Sequence, residues 1–438
     1  MNILLIGNGF DQAHGLPTSY RDFLEFSQQV ERIYTLYPGT TQQIYEDGFS
    51  KDWKLHDALK KVLCDAFEKR KTLIRPPEDA VDAQNPEVKR MYLVNEMHGC
   101  LQNNPWLKYF VIRSKSTGRN WIDFEAEIKR VVQQLDDRGA RSQGFIAIES
   151  LEFGKDDIGV LFREVQRKLD HRFQKRALSA DQFTVVLHTE LERLIRALDI
   201  YIAGFVQEIP VERKNPNIEQ LKPDCVLSFN YSNTYERVYG AGRTITYDYI
   251  HGKADLSRNE RTCQLVLGIQ EYLDDDRKNQ DLLFLPFKKY FQRIYKSTDN
   301  TYLTWARQFR EEEAFYPHNV QLFQAGEPIL RQTVPSRRRV IANLSSIPHE
   351  IHTLHIFGHS LDVTDGDVLR QLICNDNVQT TIFYHRRDED DKSSLAKKIR
   401  NLIRIIGQDE LIRRTGGPSQ TIWFEPQALP DGDVQAQS

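Results

Sequence analysis

Residues 2–20 read NILLIGNGFDQAHGLPTSY. Ile3–Ile6 is an apolar run of strand length, with no helical spacing, and Gly7 and Gly9 end it abruptly. Two glycines there let the backbone turn and come close to another group. Asp11, His14, Gly15, Pro17 and Thr18 follow, a polar and punctuated turn directly after a first buried strand. In open α/β sheets that is where nucleotides are held. The plainer reading is a strand-to-helix turn with no ligand.

Further along, Asp224–Phe229, Tyr247–Ile250, Gln264–Leu267, Thr353–Phe357 and Gln379–Tyr384 are short apolar runs bounded by turn residues. Helices are expected over Tyr20–Val30, Thr234–Tyr239, Gly366–Ile373 and Ser393–Ile406. The alternation predicts an α/β, Rossmann-like parallel sheet core with large helical insertions. The core is expected to be discontinuous, over residues 1–35, 218–270 and 350–425. A helical insertion would fill 36–217, with loops at Pro76–Pro77 and Gly139–Gly144. Within it Leu187, Leu191, Leu194, Leu198, Ile202 and Phe205 form one apolar stripe. A smaller helical or mixed insertion would fill 271–349, and 426–438 reads as a disordered tail.

The chain has 438 residues and a net charge of −3, which argues against a nonspecific nucleic-acid coat. Its five cysteines are scattered, with no CxxC pair, as in a reducing cytosol. No cationic stretch precedes the first apolar run, and Ile200–Val206 is too short to span a bilayer. A cytoplasmic protein is expected.

Four polar turns carry the chemistry. The first, GNGFDQ, matches two glycines of GxGxxG, with Gln12 in the third place. No second strand ending in Asp or Glu follows about 20 positions on, where a redox dinucleotide site wants its ribose ligand. No GxxxxGK[ST] occurs anywhere. The second, SFNYSNTYE (228–236), puts Asn230 just past a strand, where its amide can orient a ribose hydroxyl or a water, or merely satisfy a turn. Asn233 or Thr234 would cap the helix that follows. The third, YDYIHGKAD (247–255), ends a strand at His251, a side chain suited to accepting a proton near neutral pH. The fourth, HIFGHSLDVTD (355–365), offers Gly358, His359, Ser360 and Asp362, with Asp365 as a cap for the next helix.

These four turns, in this order, resemble the bacteriophage abortive-infection AbiH family at GNGFD…HGLPTSY, FNYSNTYE, IHGK and FGHSLD. More distantly they resemble sirtuin-like domains, where a glycine turn, G-x-P, N-x-D, H-G and G-x-S-L follow one another. That resemblance implies an NAD site, with NAD as substrate, and Asn230 and His251 as the hydrolytic pair. It implies cofactor contacts from Gly7, Asn8, Gly9, Asp11, His14, Gly15, Thr18, Gly358, His359, Ser360 and Asp362. The amides of Gly7–Gly9 would cradle the pyrophosphate, and Ser360 the adenosine ribose. Three positions depart from the sirtuin-like pattern. Asn8 stands for Ala, Asp11 stands where Ser would be, and Ser232 replaces the Asp two after the Asn. No four-cysteine zinc module is present, so NAD hydrolysis is favoured over deacylation. The implied role is an antiphage effector with a phage-derived trigger or partner. The alternative is a nucleotide-sensing or nucleic-acid-binding module that uses the same core without cleavage. A homo-oligomer is compatible with either.

Three weaker signals remain. HEIHTLH (349–355) spaces three histidines so that they cannot all meet one metal on a strand. WIDFEAEIK (121–129) is either an acidic helix start or a carboxylate pair at Asp123 and Glu125. FKKYFQRIYK (287–296) is either a solvated amphipathic helix or, through Lys288, Lys289, Arg293 and Lys296 with support from Arg337–Arg339 further on, an RNA, DNA or phage-protein contact.

Overall fold

The computed structural model describes residues 1–51, 54–70, 85–116, 122–141, 145–147, 157–173, 177–271, 282–325, 330–332, 338–340, 350–386, 388 and 391–428. The expected loop at Pro76–Pro77, and His349, Arg337 and residues 429–438 of the expected tail, lie outside these.

The central sheet has six strands, all parallel: β1 (Asn2–Ile6), β2 (Cys225–Ser228), β3 (Thr246–Tyr249), β4 (His352–Phe357), β5 (Val378–Tyr384) and β6 (Ile422–Pro426). Their order across the sheet is β6-β5-β4-β1-β2-β3. This is the doubly wound dinucleotide-fold order, with its topological switch between β1 and β4. Consecutive residues of β1 are buried on opposite faces. Ile3 and Leu5 pack with Trp305, Phe309, Leu369 and Leu402, while Leu4 and Ile6 pack with Phe10, Val226 and Tyr235. A strand covered on both faces reads as an unbroken apolar run, as Ile3–Ile6 does.

The helices cover both faces. Asn8–Ala13 and Thr234–Tyr239 supply Phe10 and Tyr235 to one. Tyr302–Gln324, Gly366–Ile373 and Ser393–Ile406 lie on the other, and the first of these carries the chain from β3 back across to β4. Its Tyr302, Trp305 and Phe309 are core residues of the sheet, although they fall within the expected second insertion.

A separate apolar cluster holds the helical region together, through Phe23, Phe26, Trp106, Phe110, Phe124, Leu187, Leu191, Tyr201 and Phe205 among others. Tyr20–Thr35 begins with a capping box: Asp22 N donates to Ser19 Oγ at 3.2 Å and Ser19 N to Asp22 Oδ2 at 3.1 Å. This helix packs into the helical cluster and not onto the sheet.

One expected strand is absent from the sheet. Leu265–Leu267 is buried and Gln264 half-buried, and the segment pairs with no strand, although Val266 N donates to His251 O at 2.9 Å. Side chains serve its backbone: Gln292 Oε1 accepts from Leu267 N at 2.9 Å, and Tyr231 Oη and Lys296 Nζ donate to Val266 O and Leu265 O at 2.8 and 2.7 Å. β6, short and preceded by polar turns, was not expected.

The switch point is closed by backbone on backbone. Gly9 N donates to Gly358 O at 2.8 Å and Gly7 N to Phe357 O at 3.1 Å. Gly358 is left-handed at φ 69°, and a Cβ there would lie 2.1 Å from Phe10 N. Gly358→Ala therefore meets both strain and overlap, and should lose several kcal/mol of stability in urea denaturation. Gly242→Ala is the control: φ is 72° but nothing lies within 4 Å, so strain alone costs about 1–2 kcal/mol. Equal losses in the two variants would show that the close approach is unimportant.

Candidate functional site

Strand register brings the four polar turns together. Ile6 is level with Phe357 on one side and Ser228 on the other, and Ser228 is level with Tyr249. The chain leaves all four strands at the same carboxyl edge. Gly7 and Asn8, Phe229 and Asn230, Ile250 and His251, and Gly358 and His359 are the first residues beyond that row. Phe229 sits between the imidazoles, its ring centroid 5.4 Å from that of His251 and 4.4 Å from that of His359.

Asn230 is buried and donates from Nδ2 to Gly7 O at 3.0 Å, while its Oδ1 is buried without a partner. Beside it Asp11 Oδ2 accepts from Ser232 Oγ at 2.6 Å, and Ser232 Oγ accepts in turn from Thr234 Oγ1 at 3.0 Å. Asp11 Oδ1 is also buried without a partner. Two of the three departures from the sirtuin-like pattern, Asp11 and Ser232, thus touch each other. Burial pushes the Asp11 carboxyl up to about 6, against the pull of Ser232, Thr234, Arg237 and Asn230.

His251 and His359 share one carboxylate. Asp365 Oδ1 lies 3.6 Å from His251 Nε2, and Oδ2 lies 3.4 Å from His359 Nε2. Asp365 occupies the first position before the helix Gly366–Ile373 but makes no side-chain cap, contrary to the sequence expectation. Its carboxylate is turned to the imidazoles and to Lys289, whose Nζ lies 2.9 Å from Oδ1. Lys289 also reaches Glu125 Oε2 at 2.8 Å. Burial alone would raise the Asp365 pKa, but Lys289, His359 and His251 together hold it far below the usual carboxylate range. Burial disfavours the charged ammonium of Lys289, yet Asp365 and Glu125 keep it charged. Burial raises Glu125 to about 7. Burial, reinforced by Lys289, lowers His251 to about 3, so its imidazole is neutral at physiological pH.

The carboxylate pair of the sequence reading is divided. Asp123 Oδ1 accepts from Ala126 N at 3.0 Å at the start of the helix Phe124–Arg141, while Glu125 joins the buried charge cluster. The cations of 287–296 are likewise not an exposed basic face. Lys288 pairs with Glu271 at 2.7 Å, Lys289 as above, Lys296 with Glu192 at 2.8 Å and Arg293 with Asp367 at 3.3 Å. Tyr290, Ile294 and Tyr295 are the exposed residues there.

The other expected contacts fall as follows. Gly7 and Gly9 have given their amides to Phe357 and Gly358, so the β4 turn fills the cradle the glycine turn was expected to offer a phosphate. Asn8 is exposed, and its Oδ1 accepts from Thr18 Oγ1 at 2.6 Å. His14 is buried with both ring nitrogens used, Nδ1 at 2.7 Å from Phe10 O and Nε2 at 2.7 Å from Tyr239 Oη. Gly15 makes the left-handed turn after it at φ 73°. Ser360 is exposed, and Asp362 Oδ1 accepts from Thr364 N at 2.9 Å. Leu361 is held left-handed at φ 57° with its side chain buried, a strain of the kind found beside functional loops. Among the described residues no cluster of His, Cys, Asp and Glu could hold a metal ion, and no helix is long and apolar enough to cross a membrane.

A family model described as bacteriophage abortive infection AbiH matches residues 3–385. That is most of the chain, which therefore belongs to this family and acts in abortive-infection defence against bacteriophage. No curated protein and no solved structure matches it.

Asp11 has a consequence for stability. Its folded pKa of about 6 lies above its ordinary 3.8. The folded state therefore binds the extra proton between those values, and stability falls as pH rises through them. Asp11→Asn should raise the denaturation midpoint at pH 7.5 by the equivalent of roughly 2–3 kcal/mol. The gain should vanish near pH 4, and a variant no more stable than the parent at pH 7.5 would contradict it.

Proposed function

We propose that the protein is an abortive-infection effector that hydrolyses NAD at the nicotinamide–ribose bond, with Asn230 and His251 as the working pair. The observation that carries this reading is the shared row of strand ends. It puts an amide, a neutral imidazole and the glycine turn along the one carboxyl edge that includes the switch point, where α/β folds bind nucleotides.

The chemistry asks little of an acid. As the C1′–N bond breaks, its electron pair passes to the pyridinium nitrogen and nicotinamide leaves neutral. Positive charge builds on the ribose ring, as in glycoside cleavage. A water oxygen bonds to C1′, and the proton it sheds must go to a base. Asn230 would orient the ribose or that water through its unpartnered Oδ1. His251 would take the proton.

His359 is a poorer candidate for the base. Its Nδ1 accepts from Leu361 N at 3.0 Å, which leaves the proton on Nε2, facing Asp365. Among the described residues no hydrogen bond reaches His251 Nδ1, so that nitrogen keeps a lone pair for a bound hydroxyl if the proton is on Nε2. With the amides of Gly7 and Gly9 engaged, the pyrophosphate would fall to side chains at the rim, Asn8, Thr18 and Ser360.

Purified full-length protein given NAD, and cells carrying the gene during phage infection, should both release nicotinamide. Asn230→Ala and His251→Ala should each cut the rate about 100-fold or more. Binding of NAD without nicotinamide release in either setting would instead assign the protein to nucleotide sensing.

A further inference from the structure

The charge cluster at the sheet edge is assembled from three separate stretches of chain. His251, His359 and Asp365 come from the core, Lys289 from the segment after β3, and Glu125 from the large helical insertion. Asp365 gives one carboxylate oxygen to each imidazole. Lys289 holds Asp365 at 2.9 Å and is itself held by Glu125 at 2.8 Å. All of these side chains are largely buried, so their charges are weakly screened.

We infer that Asp365 is the positioning residue for both imidazoles, and that the Lys289–Glu125 pair ties the helical insertion to the charge state of His251. The carboxylate fixes which ring nitrogen of His251 carries the proton. At 3.6 Å the Asp365–His251 pair is longer than a hydrogen bond. It is close enough to tighten once His251 takes up a proton, as base–carboxylate contacts do in a working site.

The groups facing His251 act in opposite directions. Asp365 favours the imidazolium, whereas Lys289, Arg293 and His359 oppose it, and burial opposes it most. Glu125, which touches Lys289 and not His251, modulates the balance from the insertion. Removing the cation should therefore raise the His251 pKa, and removing the carboxylate should lower it. A general loss of structure would not produce opposite signs.

The chemistry that gives Asp365 its purpose rests on the proposed NAD hydrolysis, but its test does not. Full-length protein labelled in its histidines can be followed by nitrogen-resolved NMR, with His251→Gln and His359→Gln used for assignment. In the parent, both His251 and His359 should carry the proton on Nε2, and His251 should stay neutral down to about pH 5. In Lys289→Met, His251 should titrate at least one unit higher. In Asp365→Asn, the proton should spread over both ring nitrogens of His251, while Nδ1 of His359 still accepts from Leu361.

The parent spectrum alone can overturn the proposal, whether or not the variants fold: a His251 proton on Nδ1 would do so. Folded variants with unchanged His251 tautomer and titration would do the same. If the NMR behaviour is as expected but no nicotinamide is released in the assay above, the positioning role stands and the NAD reading falls.

Discussion

Everything at the sheet edge depends on two turns being able to touch. The Gly9 amide meets the Gly358 carbonyl at 2.8 Å, and neither glycine has room for a Cβ. Gly7 is equally tight, with His359 Cα 2.6 Å from where its Cβ would sit. Because the β1 and β4 turns are in contact, His359 is delivered over the sheet beside Phe229, and the Gly7 carbonyl is presented to Asn230. Larger residues would part the strand ends at the switch, and the four turns would no longer share one edge. The same contact has a chemical consequence. It consumes amides that a simpler glycine turn would leave for phosphate.

Much of this architecture was legible in the sequence, because buried parallel strands announce themselves as short apolar runs between turn residues. Thr234–Tyr239, Gly366–Ile373 and Ser393–Ile406 have the bounds their patterns suggest. Gln264–Leu267 shows where that signal fails. An apolar run reports burial, not pairing, and here side chains of Tyr231, Gln292 and Lys296 replace a neighbouring strand. The strand-end residues Asn230, His251 and His359 were visible for the same reason as the strands they follow.

Asp365, Lys289 and Glu125 were visible only as residues with commoner roles. An Asp before a helix suggests a cap, a Lys among aromatics suggests a solvated face, and a Glu in a first helical turn suggests a dipole partner. Their actual roles are set by contacts across 76 positions of sequence for Lys289 and Asp365, which no local pattern encodes. Asp11 and Ser232 lie between these cases. Each is a departure from the sirtuin-like pattern when taken alone. Only the fold shows that they meet, Ser232 Oγ donating to Asp11 Oδ2 at 2.6 Å.

The charges at this edge bear on what it can accommodate. Asp11 and Asp365 are carboxylates, Glu125 is balanced near neutrality, and Lys289 is the cation that two of them share. His251 adds no charge at physiological pH. Asp11 Oδ1, Asn230 Oδ1 and the Gly7 carbonyl are all acceptors, two of them without donors. A buried edge rich in acceptors and carboxylates is hostile to a phosphate and hospitable to hydroxyl groups. The sugar of a nucleotide suits it better than the phosphates do. That preference is in keeping with the proposed cleavage at a ribose. Burial and Lys289 keep His251 neutral against the pull of Asp365, and in the proposed cleavage a neutral imidazole would not oppose the charge that builds on the ribose.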